Sequence, residues 1–266
     1  MVNIIQSPKK TLIIGDSHGY FMAKHLGEFQ ATWEDVISGA LPVINKADDH
    51  VADLILLNGK LNFFSLWQQE GIVFSEIASD FSETLKAYNN KETTCFLLNH
   101  GNEHNARFMC RHTQPFDFFD SSMPNKLISG RQIIPRSTIY KQLVVVKPMI
   151  EAEIQALKSN IPNANIFFIA PPPPIPSEAH IRKSPEIFDF NKHVLEDKWL
   201  RLKVYNLYLE LLTIISVECA IHILPPPSEC IDEHGFLKEI FWTGCTHASP
   251  DYYKFVMQNA YQERVS

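Results

Sequence analysis

Short apolar runs alternate along this chain with longer stretches whose apolar residues recur every three to four positions, the period of a helix. Thr11–Gly15 (TLIIG) is a buried-type run that ends at a polar corner, and Tyr20–Phe29 follows with Phe21, Met22, Leu26 and Phe29 at helical spacing. Ala52–Leu57 is a second run, closed by Asn58-Gly59, and Ser75–Tyr88 carries Ile77, Phe81, Leu85 and Tyr88 at helix period. Thr94–Leu98 is the third predicted strand. Pro135–Asn160 reads as one long amphipathic helix with Leu143, Val146, Ile150, Ile154 and Leu157 on one face and Pro148 as a kink. Asn165–Ala170 and Cys219–Leu224 are the fourth and fifth predicted strands, each stopped by a proline run, Pro171–Pro174 and Pro225–Pro227. Trp199–Ser216 and Tyr252–Gln262 are predicted helices.

Strands apolar throughout and alternating with helices imply an α/β fold around a mainly parallel, five-stranded sheet buried on both faces. With 266 residues and no linker or repeat, the whole chain, residues 1–266, is expected to be one domain. Each predicted strand ends in a polar or loop-forming cluster, and in open α/β sheets ligands bind beyond the carboxyl ends of the strands.

Composition narrows the function classes. Charged residues make up 20 % and the net charge is −6, with no basic run, so no nucleic-acid partner is expected. No stretch is long and apolar enough for a membrane span, and the N-terminus lacks the apolar region of a signal peptide. The five cysteines are odd in number and without C-x-x-C spacing, which suits reduced thiols. A cytoplasmic location is the expectation.

Three segments carry chemistry. Gly15-Asp16-Ser17-His18-Gly19 lies between a strand and a helix, where a serine hydroxyl is exposed and its N–H lies at a helix N-terminus suited to a developing oxyanion. A helix N-cap is the other reading of the same residues. Thr243–Ser249 holds His247 in a loop before the last helix, able to reach across strand ends and serve as the base a serine nucleophile needs. Asn99–Asn105 (NHGNEHN) follows the third strand. Its Asn102 can donate to an oxyanion, and Glu103 can pair with a loop histidine. His100 and His104, joined by His112, are alternatively metal ligands.

In this order the segments resemble the SGNH/GDSL hydrolase family from Leu12 to about Tyr261. The resemblance implies a three-layer αβα sandwich with a flavodoxin-like sheet, Ser17 as nucleophile, and His247 as base. It implies an oxyanion hole from Ser17, Gly59 and Asn102, and no cofactor or metal. The family's usual Asp three residues before the histidine is here Gly244, which leaves a Ser–His dyad. Asp16, His18, Glu103 and His104 are possible accessory residues. Asp16 is expected to order the turn, His18 to contact a leaving group or cap the helix, and Glu103 to replace the missing carboxylate.

The implied activity is hydrolysis of a small acyl ester, with an O-acetylated carbohydrate among the substrates. The alternatives are a sugar O-acyltransferase with the same residues, a catalytically weak ligand-binding module, and a metal-dependent hydrolase. Gln114–Asp120, Trp67 and Trp242 are candidates for pocket walls or for core packing.

Overall fold

A computed structural model describes residues 10–26, 44–46, 52–56, 64–184 and 192–263. The elements in chain order are β1 (Lys10–Gly15), α1 (Ser17–Leu26), β2 (Ile44–Lys46), β3 (Ala52–Leu56), β4 (Phe64–Gln69) and β5 (Ile72–Ile77). Next come α2 (Ser79–Lys86), β6 (Thr93–Leu98), α3 (Glu103–Phe108), β7 (Phe116–Asp117), β8 (Gln132–Ile133), α4 (Arg136–Leu143) and α5 (Lys147–Asn160). The chain finishes with β9 (Asn165–Ile169), α6 (Glu178–Lys183), α7 (Lys198–Glu218), β10 (His222–Leu224) and α8 (Pro250–Glu263).

The main sheet runs β10-β9-β6-β1-β3-β2. Five of its strands are parallel, in the 2-1-3-4-5 order of a flavodoxin-like sheet. The expected count of five is corrected to six, because Ile44–Lys46 adds an antiparallel edge strand beside β3. Side chains alternate across the sheet with period two. Leu12, Ile14, Cys95 and Leu97 enter one core with α2, α4, α5 and α7, whereas Ile13, Phe96 and Leu98 enter the other with α1 and α8. Helices therefore cover both faces, the three-layer arrangement that all-apolar strands require. The strand order reverses between β1 and β6, which places a crevice at their carboxyl ends.

Four expectations are corrected. The helix over 135–160 is two helices joined by a 3₁₀ turn at Val144–Val146. Pro148 falls in the first turn of α5, where its missing N–H leaves nothing unpaired, so it starts a helix rather than kinking one. The helix over 75–88 begins only at Ser79, because Ser75–Ile77 belongs to β5 of a hairpin with β4. That hairpin turns at Glu70-Gly71, with φ of +51° and +82°, the two-residue primed turn that matches strand twist. Its Trp67 is 44 % exposed and stacks on Phe74, so it is not core packing. The strand over 219–224 shrinks to His222–Leu224, since α7 continues through Glu218 and Ala220, at φ +48°, takes the left-handed position that closes it.

In Gln114–Asp120 the residues Phe116, Asp117 and Phe118 are buried, which makes this segment core packing. The Lys203 ammonium of α7 enters there, bonded to Asp117 and to the Phe118 carbonyl at 3.0 Å. Trp242 is held by its indole N–H, which donates to the Leu237 carbonyl at 2.7 Å. Phe29, at the end of the expected first helix, lies outside the described residues, as does Leu57.

Candidate active site

Ser17 is the first residue of α1, directly beyond the end of β1. Asp16 caps the helix: its Oδ1 accepts from the His18 N–H at 2.9 Å and its carbonyl accepts from the Tyr20 N–H at 3.2 Å. Its own N–H donates to the Leu98 carbonyl at 3.3 Å, which ties the corner to the end of β6. A Cβ on Gly15 would lie 3.0 Å from the Gly19 Cα and from the Leu98 Cβ, so the glycine at 15 lets strand and helix approach closely here. Asp16 thus ties the start of the helix to the ends of two strands. Burial pushes its carboxyl up to about 6, against the pull of the His18 N–H and of the nearby His247 and His100.

His247 reaches the same corner from the other end of the chain. Its loop is closed by the Thr243 N–H donating to the His247 carbonyl at 3.1 Å and by a bridge between Trp242 and Ala248. The Ser249 N–H donates to the Phe241 carbonyl at 2.8 Å, just before α8 begins. The outcome is a 2.7 Å hydrogen bond between Ser17 Oγ and His247 Nε2 across 230 positions of sequence. The imidazole is buried, with the His18 ring 4.7 Å and the Phe21 ring 5.3 Å from it, centroid to centroid. Gly244, at the position of the expected Asp, has φ +38°, and its carbonyl accepts from His180 Nε2 at 3.1 Å.

The strand next to β1 delivers the third segment. Asn102 precedes α3, and its Oδ1 accepts from the Asn105 side-chain amide at 3.2 Å. Gly101 lies against the His18 ring: a Cβ there would be 2.3 Å from Cδ2 and 2.7 Å from Nε2. Gly59, the other expected oxyanion donor, lies outside the described residues.

His18 neither caps the helix by its side chain nor faces solvent. It is buried, with Nδ1 3.2 Å from the Tyr253 hydroxyl of α8. Burial first, and the neighbouring His247 second, hold it well below the ordinary imidazole range, so His18 stays neutral beside His247.

Behind Asn102 lies a buried polar cluster. His100 pairs with Glu153 of α5 at 2.6 Å and with Glu103 at 3.1 Å, the Asn99 amide donates to Glu153, and the Tyr208 hydroxyl donates to the His100 carbonyl at 2.9 Å. Although desolvation opposes it, the two carboxylates together hold the His100 imidazole up at about 9. Glu103 is thereby the partner of His100, which corrects its expected role as a replacement carboxylate for His247.

His104 packs between the rings of Tyr205 and Tyr208, with neither nitrogen hydrogen-bonded, and burial lowers it to about 3. His112 Nε2 donates to the Arg107 carbonyl at 3.1 Å. Among the described residues no group of three His, Cys, Asp or Glu side chains is placed to hold a metal ion. None of their helices is long and apolar enough to cross a membrane.

Sequence reasoning missed Glu153 and Tyr253. Glu153 carried a signal: it sits in the stripe of Ile150, Ile154 and Leu157, where a carboxylate must find a buried partner. Tyr253 carried none, since its hydroxyl gains meaning only from His18, 235 positions away.

No protein-family model matches this chain, and no curated protein matches it in sequence. Solved structures are similar to it. One is the periplasmic domain of a lipopolysaccharide acetyltransferase from Salmonella ser. Paratyphi A, with a TM-score of 0.47 and 11 % identity over 98 % of this chain and 86 % of that one. Another is phospholipase A1 from Streptomyces albidoflavus, with a TM-score of 0.42 and 10 % identity over 96 % and 98 % of the two chains. A carbohydrate acetylesterase from Sinorhizobium meliloti is similar at a TM-score of 0.39 and 9 % identity, over 96 % of this chain and 98 % of that one.

Proposed function

We propose that this protein is a serine hydrolase of small acyl esters, O-acetylated carbohydrates among them, acting as one domain with Ser17 as nucleophile and His247 as base. The observation that carries the reading is the 2.7 Å contact between Ser17 Oγ and His247 Nε2 at the carboxyl ends of the parallel strands.

In this reading the Ser17 hydroxyl passes its proton to His247 Nε2 as Oγ attacks the ester carbonyl. The tetrahedral oxyanion is met by the Ser17 N–H, which as the first helical N–H has no intrahelical partner, and by the Asn102 amide. Gly59 is the third expected donor. As the C–O bond to the alcohol breaks, His247 returns the proton to the leaving oxygen. Water then attacks the acyl-serine, His247 takes its proton, and the carboxylic acid leaves as Ser17 regains its hydrogen. The neutral state of His18 leaves His247 as the ring that takes the charge.

A fluorophosphonate probe tests this directly, because Ser17 Oγ would form a bond to phosphorus and expel fluoride. The folded protein should be labelled at Ser17, as read by peptide mass spectrometry. Ser17→Ala should abolish the label, and His247→Ala should slow it by about 10²–10⁴-fold, the usual worth of a general base. A folded wild type left unlabelled would overturn the reading and favour a ligand-binding module.

A further inference from the structure

His18 is buried beside the nucleophile, yet proton transfer and acyl transfer leave it without a task. Its hydrogen bonds are informative. The Tyr253 hydroxyl is buried, and His18 Nδ1 at 3.2 Å is the partner that reaches it among the described residues. If Nδ1 carried the proton, the Tyr253 oxygen would accept and its own hydrogen would be left buried and unpaired. Such an orphan costs about 1–3 kcal/mol. The satisfied arrangement has Tyr253 donating to Nδ1, which puts the His18 proton on Nε2.

That Nε2 is itself buried and makes no hydrogen bond of good geometry, so a proton on it needs an acceptor close by. The polar side chain that interacts with it is Asn102, and the glycine at 101 lets the ring lie against this stretch of backbone. An Nε2–H can only be received by the Asn102 oxygen, which already accepts from the Asn105 amide. With a second bond from Nε2–H its oxygen would be engaged from two sides, the amide would not flip, and its NH₂ group would be the end left for a ligand.

We propose that Tyr253 and His18 form a buried relay that fixes the Asn102 amide as an oxyanion donor: Tyr253 O–H to His18 Nδ1, and His18 Nε2–H to Asn102 Oδ1. His18 and Tyr253 are positioning residues, acting on the reaction only through Asn102. The assignment rests on the serine-hydrolase reading of Ser17 and deepens it. It also gives a reason for a histidine directly after the nucleophile and for a tyrosine in α8.

The test is a double-mutant cycle on the second-order rate of fluorophosphonate labelling at Ser17. Asn102→Ala should slow labelling by about 100-fold, as loss of one oxyanion donor does. Tyr253→Phe removes one oxygen and keeps the ring in its edge-on packing with Tyr252, so the fold is retained, as a melting curve verifies. It should slow labelling by about 3- to 10-fold, the effect of one net hydrogen bond, but should have no further effect in the Asn102→Ala background. His18→Gln, which keeps an N–H near Nε2, should stay closer to wild type than His18→Leu. A Tyr253→Phe rate equal to wild type, or the same loss in both backgrounds, would overturn the relay. A wild type unlabelled at Ser17 would instead remove the serine reading beneath it.

Discussion

The backbone at Gly244 is left-handed, with φ +38°, three residues before His247. A side chain there meets the Cβ–carbonyl conflict that costs an L-residue about 1–2 kcal/mol. Restoring the family's usual carboxylate by Gly244→Asp is therefore expected to lower the melting temperature and not to raise the labelling rate at Ser17. The carbonyl at 244 also has its own task, accepting from His180, so the loop is built on a glycine here rather than on a lost acid. An increased rate in that variant would show that the loop yields and that the dyad lacked only its acid. Ser17 and His247 were legible because their flanks are distinctive: a G-D-S corner after an apolar run, and a Thr/Ser loop before the last helix. The Tyr253–His18 contact was not, since a tyrosine in an amphipathic helix gives no sign of which residue its hydroxyl will meet.

Elements in this fold are fastened by buried ions more than by surface ones. Lys203 of α7 is buried and holds Asp117, the Phe118 carbonyl and the Lys126 carbonyl, the last at 3.2 Å. Asp117 also accepts from the Phe118 and Ile128 N–H groups at 2.8 Å each, so one pair pins the whole 116–128 segment to α7. Lys203→Met leaves that carboxylate buried without its counter-ion and should destabilise the protein by about 3–5 kcal/mol in urea unfolding. Arg136→Ala removes a pair that is 42 % and 49 % exposed, to Glu210, and should change stability by less than about 1 kcal/mol. Equal losses in the two variants would contradict this ordering. The parallel strands were readable because each is apolar on both faces, an unambiguous pattern in β1, β6 and β9. The β4–β5 hairpin was not, because Ile77, Phe81 and Leu85 continue a helical spacing backward into a strand. Gly71 in the tight turn is the local trace of the hairpin, and tertiary contact of β5 with α5 settles the choice. Phe116–Phe118 escaped for a similar reason: its aromatic and acidic residues have no period until a lysine from a distant helix pairs with them.

Over the whole molecule, three buried histidines with opposite shifts shape the dependence of stability on pH. His104 and His18 are held below the ordinary 6.5, His104 at about 3, so the unfolded chain takes up their protons first on acidification. Their contribution is complete above 6.5 and is lost as the pH falls below it, for His104 down to about 3. His100 is raised to about 9 by Glu103 and Glu153, so its contribution is complete below 6.5 and is lost as the pH rises through 9. Asp16, raised to about 6, works against the acid loss, because its burial penalty is relieved as it protonates between 6 and 3.8. Stability should thus be greatest near neutrality and should decline on both sides for different reasons. His104 isolates the acid side, since its nitrogens make no hydrogen bonds and its ring only fills the slot between Tyr205 and Tyr208. His104→Phe keeps a ring in that slot and removes the proton site, so it should raise the melting temperature more at about pH 5 than at about pH 8. His100→Gln should flatten the alkaline limb instead, while lowering stability at neutral pH by leaving Glu153 without its cation. A His104→Phe difference that does not depend on pH would mean that the imidazole titrates alike in the folded and unfolded chains, so that burial between the tyrosines does not hold it neutral.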